Sequence, residues 1–332
     1  FGSLTIENGG EYSATKWTTT LSGNLINYGV FTNNSGTVKF DGNATVVGIN
    51  STYALNDLYV STGVDLAHME VLNTVGDVTV YGDLDARYGG LDFDGTGDYV
   101  NVGDDSSLNI TGNIAYGGWF KFDTITGSIG LISNVNGTNI GYGMNLYDSD
   151  IYVYSDTYYN TNFKPSVDTW YYLFVVFNGT DNNLYVNGLL YNTISAGAPV
   201  ANTLDLVIGR YYPSADEFYF NGSISDTRIY NRSLTATEVS DLYNNNYDNT
   251  TGLVGHWKLD DASGSSAADS SGEGNTGTLE GDPTWVGGSP DISMDSLMIG
   301  SGGTYSATSG TTTMTFESSI GRVFYNNGGT FT

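Results

Sequence analysis

The two ends of the chain carry copies of one sequence unit. Residues 3–37 (SLTIENGGEYSATKWTTTLSGNLINYGVFTNNSGT) align without a gap with residues 296–330 (SLMIGSGGTYSATSGTTTMTFESSIGRVFYNNGGT), at an offset of 293 and with 18 identities in 35 positions. Repeats build elongated arrays, because each unit buries its apolar face against its neighbours. We therefore expect residues 291–332 to begin a second copy, with the backbone fold and turns of residues 3–37, held by β contacts between repeats.

Short apolar or β-branched runs alternate with Gly, Asn and Asp turns along residues 1–88. Runs such as TVKF, LYV and VTVY are separated by these turn residues, and a helical period is absent from the pattern. The spacing is typical of a β-solenoid or of a β-sandwich. The stretch VFTNNSGTVKFDGNATVV resembles β-solenoid repeats of large bacterial and archaeal surface proteins.

The charge balance excludes several classes of partner. The chain has 36 acidic and 10 basic residues, a net charge of −26, and no cysteine. Nucleic acids and anionic membrane surfaces need clustered Lys and Arg, so both are excluded as partners. No apolar run reaches transmembrane length, so direct insertion into a membrane is not expected. Disulfides and Cys-based metal sites are ruled out by composition.

Residues 89–250 contain longer, aromatic-rich strands. The motifs are LDFDGTGDYVNVGDDSSLNITGNIAYGGWFKFD, TWYYLFVVFNGTDNNLYVNGLLYNT and NGSISDTRIYNRSLTATEVSDLYN, the last ending in a short helix at residues 236–244 capped by Thr235 or Thr237. In this order they resemble the opening, central hairpin and closing strand of laminin-G-like, concanavalin A-like jelly rolls. The resemblance implies an all-β chain, in which a concanavalin A-like jelly-roll sandwich is combined with β-solenoid or β-sandwich repeat segments.

Residues 251–290 present a change of order. The stretch TGLVGHWKLDDASGSSAADSSGEGNTGTLEGDPTWVGG resembles the first segment of the same family, which normally precedes the LDFDG motif but here follows the closing strand. Two alternatives follow from the resemblance. The segment completes the jelly roll behind it as a permuted first strand, or it serves the jelly roll of the next repeat.

No pattern for catalysis is present. Glycosidases of this fold need paired carboxylates about the scissile bond, in the laminarinase type as Glu-x-Asp-x-x-Glu, and that pattern is absent from the sequence. The jelly-roll body holds two glutamates, Glu217 in a loop and Glu238 on the helix. The histidines are His68 and His256, which we interpret as structural. We expect no catalytic residue and no enzyme activity.

The resemblance also implies a structural calcium ion, where the first and last strands of the jelly roll meet. The matching carboxylates are Asp226 and Asp260, with Asp94 nearby. Oxygen ligands of this kind suit Ca²⁺. The alternative is that they are ordinary turn and edge carboxylates of an acidic protein.

Tyrosines form a second candidate site. The stretch from Tyr142 through Tyr147 to residues 158–159, together with the loop at residues 211–213, can line one face for carbohydrate, because sugars stack on exposed aromatic rings. The alternative is packing of the sheet or of a subunit interface, where Tyr is also enriched. The candidate ligand-binding residues are Tyr152, Tyr154, Tyr211 and Tyr212.

Asn-x-Ser/Thr motifs are candidate acceptors for glycan attachment in an exported protein. They occur at Asn33, Asn43, Asn50, Asn109, Asn136, Asn178, Asn221, Asn231 and Asn249.

The repeat of residues 3–37 at residues 296–330 determines the functional interpretation. We expect a structural repeat or subunit of an extracellular filament, sheath or cell-surface stalk, whose partners are copies of itself. The alternative is a carbohydrate-binding adhesion module on a surface protein, with glycans as partners.

Overall fold

A computed structural model describes most of the chain. The described residues are 1–49, 53–68, 74, 76–81, 83–85, 90–135, 141–211, 218–244, 250–261 and 263–286, and then the strand residues 293–294, 296–299, 304–306, 313–314, 325–326 and 330–331. They divide into two compact units. The solenoid unit holds residues 1–89 and 287–332, and the jelly-roll unit holds residues 90–243 and 248–286.

Short strands make up the first part of the solenoid unit. They are β1 (Leu4–Ile6), β2 (Glu11–Ser13), β3 (Thr18–Leu21), β4 (Leu25–Asn27), β5 (Val30–Thr32), β6 (Thr37–Phe40), β7 (Ala44–Val47), β8 (Asp57–Val60), β9 (Asp65–His68), β10 (Asp77–Val80) and β11 (Asp83–Asp85).

The jelly-roll unit follows, with a 3-10 helix at Ser106–Leu108 and the helix α1 at Ala236–Tyr243. Its strands are β12 (Gly90–Asp94), β13 (Tyr99–Gly103), β14 (Ile114–Phe122), β15 (Ser128–Ser133), β16 (Gly143–Tyr147), β17 (Asp150–Tyr154), β18 (Tyr158–Asn160), β19 (Trp170–Phe177), β20 (Asp181–Val186), β21 (Leu189–Ser195), β22 (Leu206–Ile208), β23 (Arg210–Tyr211), β24 (Phe218–Tyr219), β25 (Asn221–Tyr230), β26 (Leu253–Trp257), β27 (Ser266–Ala267), β28 (Gly277–Glu280) and β29 (Thr284–Val286).

The last strands return to the solenoid unit. They are β30 (Ser293–Met294), β31 (Ser296–Ile299), β32 (Thr304–Ser306), β33 (Thr313–Met314), β34 (Tyr325–Asn326) and β35 (Thr330–Phe331).

The solenoid unit is a stack of parallel strands. The first solenoid sheet runs β1-β4-β7-β9-β11-β32-β35, and the second solenoid sheet runs β3-β6-β8-β10-β31-β34. Leu4 pairs with Leu25 and Leu25 with Val46, so these two coils take 21 residues each. Other pairings of this part span 18 to 22 residues. Alternate residues are buried in strands such as β3, β6, β8 and β10, whereas β4 and β7 are buried at every position. The buried apolar side chains form the interior of the coils. The stack shows the solenoid, the first of the two alternatives for residues 1–88.

Side chains in the turns tie each coil to the next. Asn24 Oδ1 accepts from Thr45 N at 2.7 Å, Asn27 Nδ2 donates to Gly48 O at 3.1 Å, and Asn33 Nδ2 donates to Ala54 O at 3.0 Å. Each bond spans 21 residues, the length of a coil. The Asn-rich turns therefore satisfy backbone groups that the strands leave unpaired.

The C-terminal strands continue the stack. Strand β31 pairs in parallel with β10, and β32 with β11. The bounds of β32 equal those of β2 plus the repeat offset of 293. However, β1 belongs to the first solenoid sheet and its sequence equivalent β31 to the second. The two copies therefore share strand positions but not sheet partners. This differs from the identical fold that we expected. In a parallel stack, the partner of a strand depends on the neighbouring coil as well as on the strand's own sequence. Gly302 and Gly303 lie outside the described residues.

The jelly-roll unit is a sandwich of two antiparallel sheets. The front sheet runs β18-β17-β16-β15-β22-β13-β28-β27, and the back sheet runs β21-β20-β19-β14-β25-β12-β29, with β26 also paired to β25. Apolar side chains from both sheets form one core, which includes Phe120, Ile132, Val175 and Ile208. Alternation along each strand leaves the other residues on the outer faces.

Residues 253–286 supply strands to both sheets of this unit. Strand β26 pairs with β25, β28 with β13, and β29 with β12. The last pairing sets Gly90 directly opposite Val286. Trp257 of β26 is fully buried in the core, and its Nε1 donates to Asn275 O at 2.7 Å.

Replacement of this tryptophan tests how much the C-terminal segment supports the sandwich. Trp257→Ala should lower the free energy of unfolding by about 3–5 kcal/mol, because it leaves a cavity in the core. The matched control is Tyr147→Ala in the same unit, a ring that is 55% exposed, where a change within about 0.5 kcal/mol is expected. Denaturant unfolding measures both. Equal stability of Trp257→Ala and wild type would show that β26 is dispensable.

Candidate functional site

The outer face of the front sheet carries a group of tyrosines. Ile151 and Val153 of β17 point into the core, so Tyr152 and Tyr154 lie on the outer face. Tyr147 and Tyr158 flank them on the neighbouring strands and are 55% and 57% exposed. We call the surface formed by Tyr147, Tyr152, Tyr154, Tyr158 and Tyr211 the tyrosine face.

The rings of the tyrosine face touch one another. Ring centroids are 5.8 Å apart for Tyr147 and Tyr152, 6.2 Å for Tyr152 and Tyr158, and 5.3 Å for Tyr154 and Tyr211. Tyr154 and Tyr211 are buried, and Tyr154 also contacts Tyr158, with centroids 6.5 Å apart. Tyr152 contacts both exposed rings and therefore helps to position them.

A glycine brings Tyr211 to this face. A Cβ at Gly130 of β15 would overlap the backbone of Arg210 and Tyr211. Strand β23 can cross β15 this closely only because Gly130 has no side chain. Tyr211 also stacks on Phe218 of β24, with centroids 6.2 Å apart.

Polar groups stand between the exposed rings. Asn160 Nδ2 donates to Asp150 Oδ2 at 3.1 Å and to Tyr152 Oη at 3.2 Å. Lys164 Nζ lies 3.6 Å from Asp150 Oδ1. Burial raises the pKa of Tyr154, so its hydroxyl stays protonated. The face thus offers apolar ring surfaces together with hydrogen-bond donors and acceptors.

Of the tyrosines that the sequence predicted for ligand binding, the structure brings Tyr152, Tyr154 and Tyr211 together. Tyr212 lies outside the described residues. Tyr142 does not belong to this face: it is buried in the core, where its hydroxyl donates to Leu108 O at 2.9 Å. Ligand binding by these residues stays a prediction.

Two of the three predicted calcium carboxylates, Asp94 and Asp226, have protein partners. Asp94 Oδ1 accepts from Thr96 N at 2.7 Å within its turn, and Asp226 is paired with Arg228 at 3.0 Å. The described residues contain no group of three or more His, Cys, Asp or Glu placed to hold a metal ion. Calcium binding by Asp94, Asp226 and Asp260 stays a prediction from the resemblance.

Asp226 is the centre of a buried ionic cluster. A bulge in β25 opposite Gly118 gives Asp226 a positive φ of 46°. Burial raises the pKa of its carboxyl, but Arg228 and His256 outweigh burial and hold the pKa at about 2. Burial first and then Arg228 lower the pKa of His256, which Asp226 only partly offsets. The neutral imidazole donates from Nε2 to Asp226 Oδ1 at 2.7 Å.

The other residues considered for catalysis are structural or not described. Glu238 Oε2 accepts from Thr235 N at 2.7 Å, and Thr235 Oγ1 accepts from Glu238 N at 3.2 Å. This reciprocal capping box begins α1 at Ala236 and establishes Thr235 as its cap. Glu217 and the side chain of His68 lie outside the described residues.

The Asn-x-Ser/Thr motifs fall into three groups. Asn109, Asn178 and Asn231 are exposed, while Asn33, Asn43 and Asn221 are half-buried. Asn33 and Asn221 use the Nδ2 atom that would take a glycan in hydrogen bonds to Ala54 O and Asp94 O. Asn50, Asn136 and Asn249 lie outside the described residues. Attachment of glycans stays a prediction.

The ionic cluster predicts a pH dependence of stability. Since the pKa of His256 is lower in the folded chain, the unfolded chain takes up this proton first, and stability falls as pH drops below about 6.5. Asp226 adds a loss from about 3.8 down to a pKa of about 2. His256→Gln keeps an N–H donor for Asp226 but does not titrate. Unfolding in denaturant between about pH 5 and pH 7 should show a smaller slope for His256→Gln; identical slopes would contradict it.

Known proteins were compared with this chain by sequence and by structure. A search of curated proteins finds no similar sequence. A putative carbohydrate binding protein from Bacteroides ovatus has a similar structure, with 17% identity and a TM-score of 0.48, over 59% of this chain and 61% of that protein. A heptameric SAP-like pentraxin from Limulus polyphemus is 16% identical with a TM-score of 0.40, over 48% of this chain and 83% of that one. The chain thus spans less than two thirds of the first of these proteins.

Domain 4 of an extracellular arabinanase from Geobacillus stearothermophilus, solved in complex with arabinotriose, is also similar. It is 18% identical with a TM-score of 0.35, over 41% of this chain and 69% of that one. Residues 94–240 match the laminin G-like family model described as the concanavalin A-like lectin/glucanases superfamily. The predicted jelly roll is confirmed, and the segment that matches this superfamily model lies within the jelly-roll unit.

Proposed function

We propose that the jelly-roll unit is a non-catalytic carbohydrate-binding module of an extracellular adhesion protein, and that it binds glycans on the tyrosine face. The observation that carries the proposal is the pair of half-exposed rings, Tyr147 and Tyr158, set around a hydrogen-bonded polar group. An exposed cluster of large apolar side chains is informative, because a folded chain otherwise buries such rings.

The chemistry of a sugar matches this surface. A pyranose ring has apolar C–H patches that pack on an aromatic ring, and hydroxyl groups on its edge that both donate and accept hydrogen bonds. Tyr147 and Tyr158 supply the rings, and Asp150, Tyr152 and Asn160 supply the polar partners. Tyr152 contacts both exposed rings and positions them before a ligand binds, which reduces the entropy lost on binding.

We propose that this module acts outside the cell. The net charge of −26 opposes binding to nucleic acids and to anionic membranes. Among the described residues, no helix is long and apolar enough to cross a membrane. The solenoid unit, whose strands stack in one direction, would serve as the support that presents the module.

Removal of the exposed rings tests the proposal. Tyr147→Ala and Tyr158→Ala should each weaken glycan binding by about tenfold, because each removes one stacking surface. The matched control is Trp17→Ala, an aromatic ring of the solenoid unit that is 74% exposed. Binding to an array of neutral oligosaccharides, followed by titration calorimetry, measures the effect. Wild-type protein that binds no glycan, or variants that bind like wild type, would refute the proposal.

A second candidate function is a structural repeat of an extracellular filament or stalk. The stacking of β31 on β10 and of β32 on β11 favours it, since the C-terminal copy of the repeat extends the solenoid sheets. The ends of such sheets present unpaired backbone groups that a further coil can satisfy.

Electron microscopy of the native material tests the second candidate. We expect long fibres with a regular axial spacing, because each repeat adds the same number of coils. Isolated particles at concentrations where the glycan-binding activity is intact would leave the adhesion module as the function.

A further inference from the structure

Beside the tyrosine face, the outer surface of the front sheet encloses a cavity of about 350 Å³. Its walls come from β13, β15, β22, β23 and the segment before β22. Residues that matter for its chemistry are Tyr99, Asn101, Val135, Asp205, Val207 and Arg210. Ligand pockets begin at about 300 Å³, so the cavity has room for one sugar residue.

The guanidinium of Arg210 packs on the Tyr99 ring, next to Tyr219. Its Cζ lies 4.5 Å from the ring centroid of Tyr99 and 5.9 Å from that of Tyr219. Tyr219 is the cross-strand partner of Arg210 in the β23–β24 pair. Stacking of this kind orients the planar guanidinium, whose five N–H groups are all donors.

A carboxylate lies in the same cavity. Asp205 is exposed, and its Oδ2 accepts from Asn101 Nδ2 at 3.1 Å. That hydrogen bond uses one of the two carboxylate oxygens and holds the Asp205 side chain next to Asn101 of β13. The cavity lining therefore combines the carboxylate of Asp205, the guanidinium of Arg210 and the apolar side chains of Val135 and Val207.

The cavity and the tyrosine face share a buried packing cluster. Val135 lines the cavity and also packs against Tyr154 and Tyr211. Arg210 lines the cavity and is the neighbour of Tyr211 in β23. The cavity therefore lies next to the inner rings of the tyrosine face, within the reach of an oligosaccharide that extends beyond the exposed rings.

We infer that this cavity, which we call the Arg210 cavity, is the specificity subsite of the glycan-binding surface, and that it takes an uncharged sugar residue with neighbouring hydroxyl groups. The inference rests on the proposed function. Asp205 accepts from two adjacent hydroxyls, and Arg210 donates to a third oxygen. Asp205 and Arg210 together carry no net charge, and the chain carries −26, so an anionic sugar would gain nothing here from charge.

The test uses the full chain, oligosaccharides of glucose, galactose and mannose, and an oligogalacturonide as the charged probe. Asp205→Ala should weaken binding of the best neutral ligand by about 10- to 100-fold, because a hydrogen bond to a charged group is lost. Val207→Trp, which fills the cavity, should weaken it as strongly. The control is Asp41→Ala, which removes an exposed carboxylate from the solenoid unit and should bind like wild type.

The outcomes separate this inference from the proposed function. Loss of binding in Asp205→Ala and Val207→Trp, with melting temperatures unchanged, supports the inference. Binding that depends on Tyr147 and Tyr158 but not on Asp205 or Val207 overturns the inference and leaves the proposed function standing. Stronger binding of the oligogalacturonide than of every neutral ligand overturns the assigned class of sugar. No glycan binding by wild type overturns both.

Discussion

The pairing of β12 with β29 is the constraint on which the arrangement of the chain depends. It sets Gly90 opposite Val286, so the jelly-roll unit begins and ends on neighbouring strands, about 5 Å apart. A domain with adjacent ends can be inserted into another domain without forcing its strands apart. The solenoid can therefore stop at β11 and resume at β30. The unusual order of motifs, in which GHWKLDD follows the closing strand, produces this geometry.

The solenoid depends on a different constraint, the length of its coil. The side chains of Asn24, Asn27 and Asn33 each form a hydrogen bond with a backbone group 21 residues further along the chain. These bonds fix the position of each turn relative to the next coil. The sequence repeat predicted where strands lie in residues 296–330. It did not predict the sheet to which each strand belongs: β31 pairs with β10, whereas β1, its equivalent in the first copy, pairs with β4.

The candidate glycan surface is partly visible in the sequence. Alternation in β17 predicts that Tyr152 and Tyr154 share one face, and the structure agrees. The same reasoning misplaced Tyr142, which the sandwich buries. Tyr99, Asp205 and Arg210 were missed, since residues from β13, β23 and the segment before β22 meet only when the sandwich forms. Arg210 gave one usable signal: it is among only 10 basic residues and adjoins the predicted Tyr211.

The sequence by itself determined the all-β class, the two kinds of unit and the absence of disulfides, because local alternation, turn residues and composition act over a few neighbours. Tertiary structure alone decided the partners of side chains that are distant in sequence. Asp226 is the clearest case: its motif predicted a cation ligand, but a bulge in β25 and the arrival of β26 place it between Arg228 and His256. A buried carboxylate needs a nearby positive charge as its partner, and the strand pairing determines which residue supplies that charge.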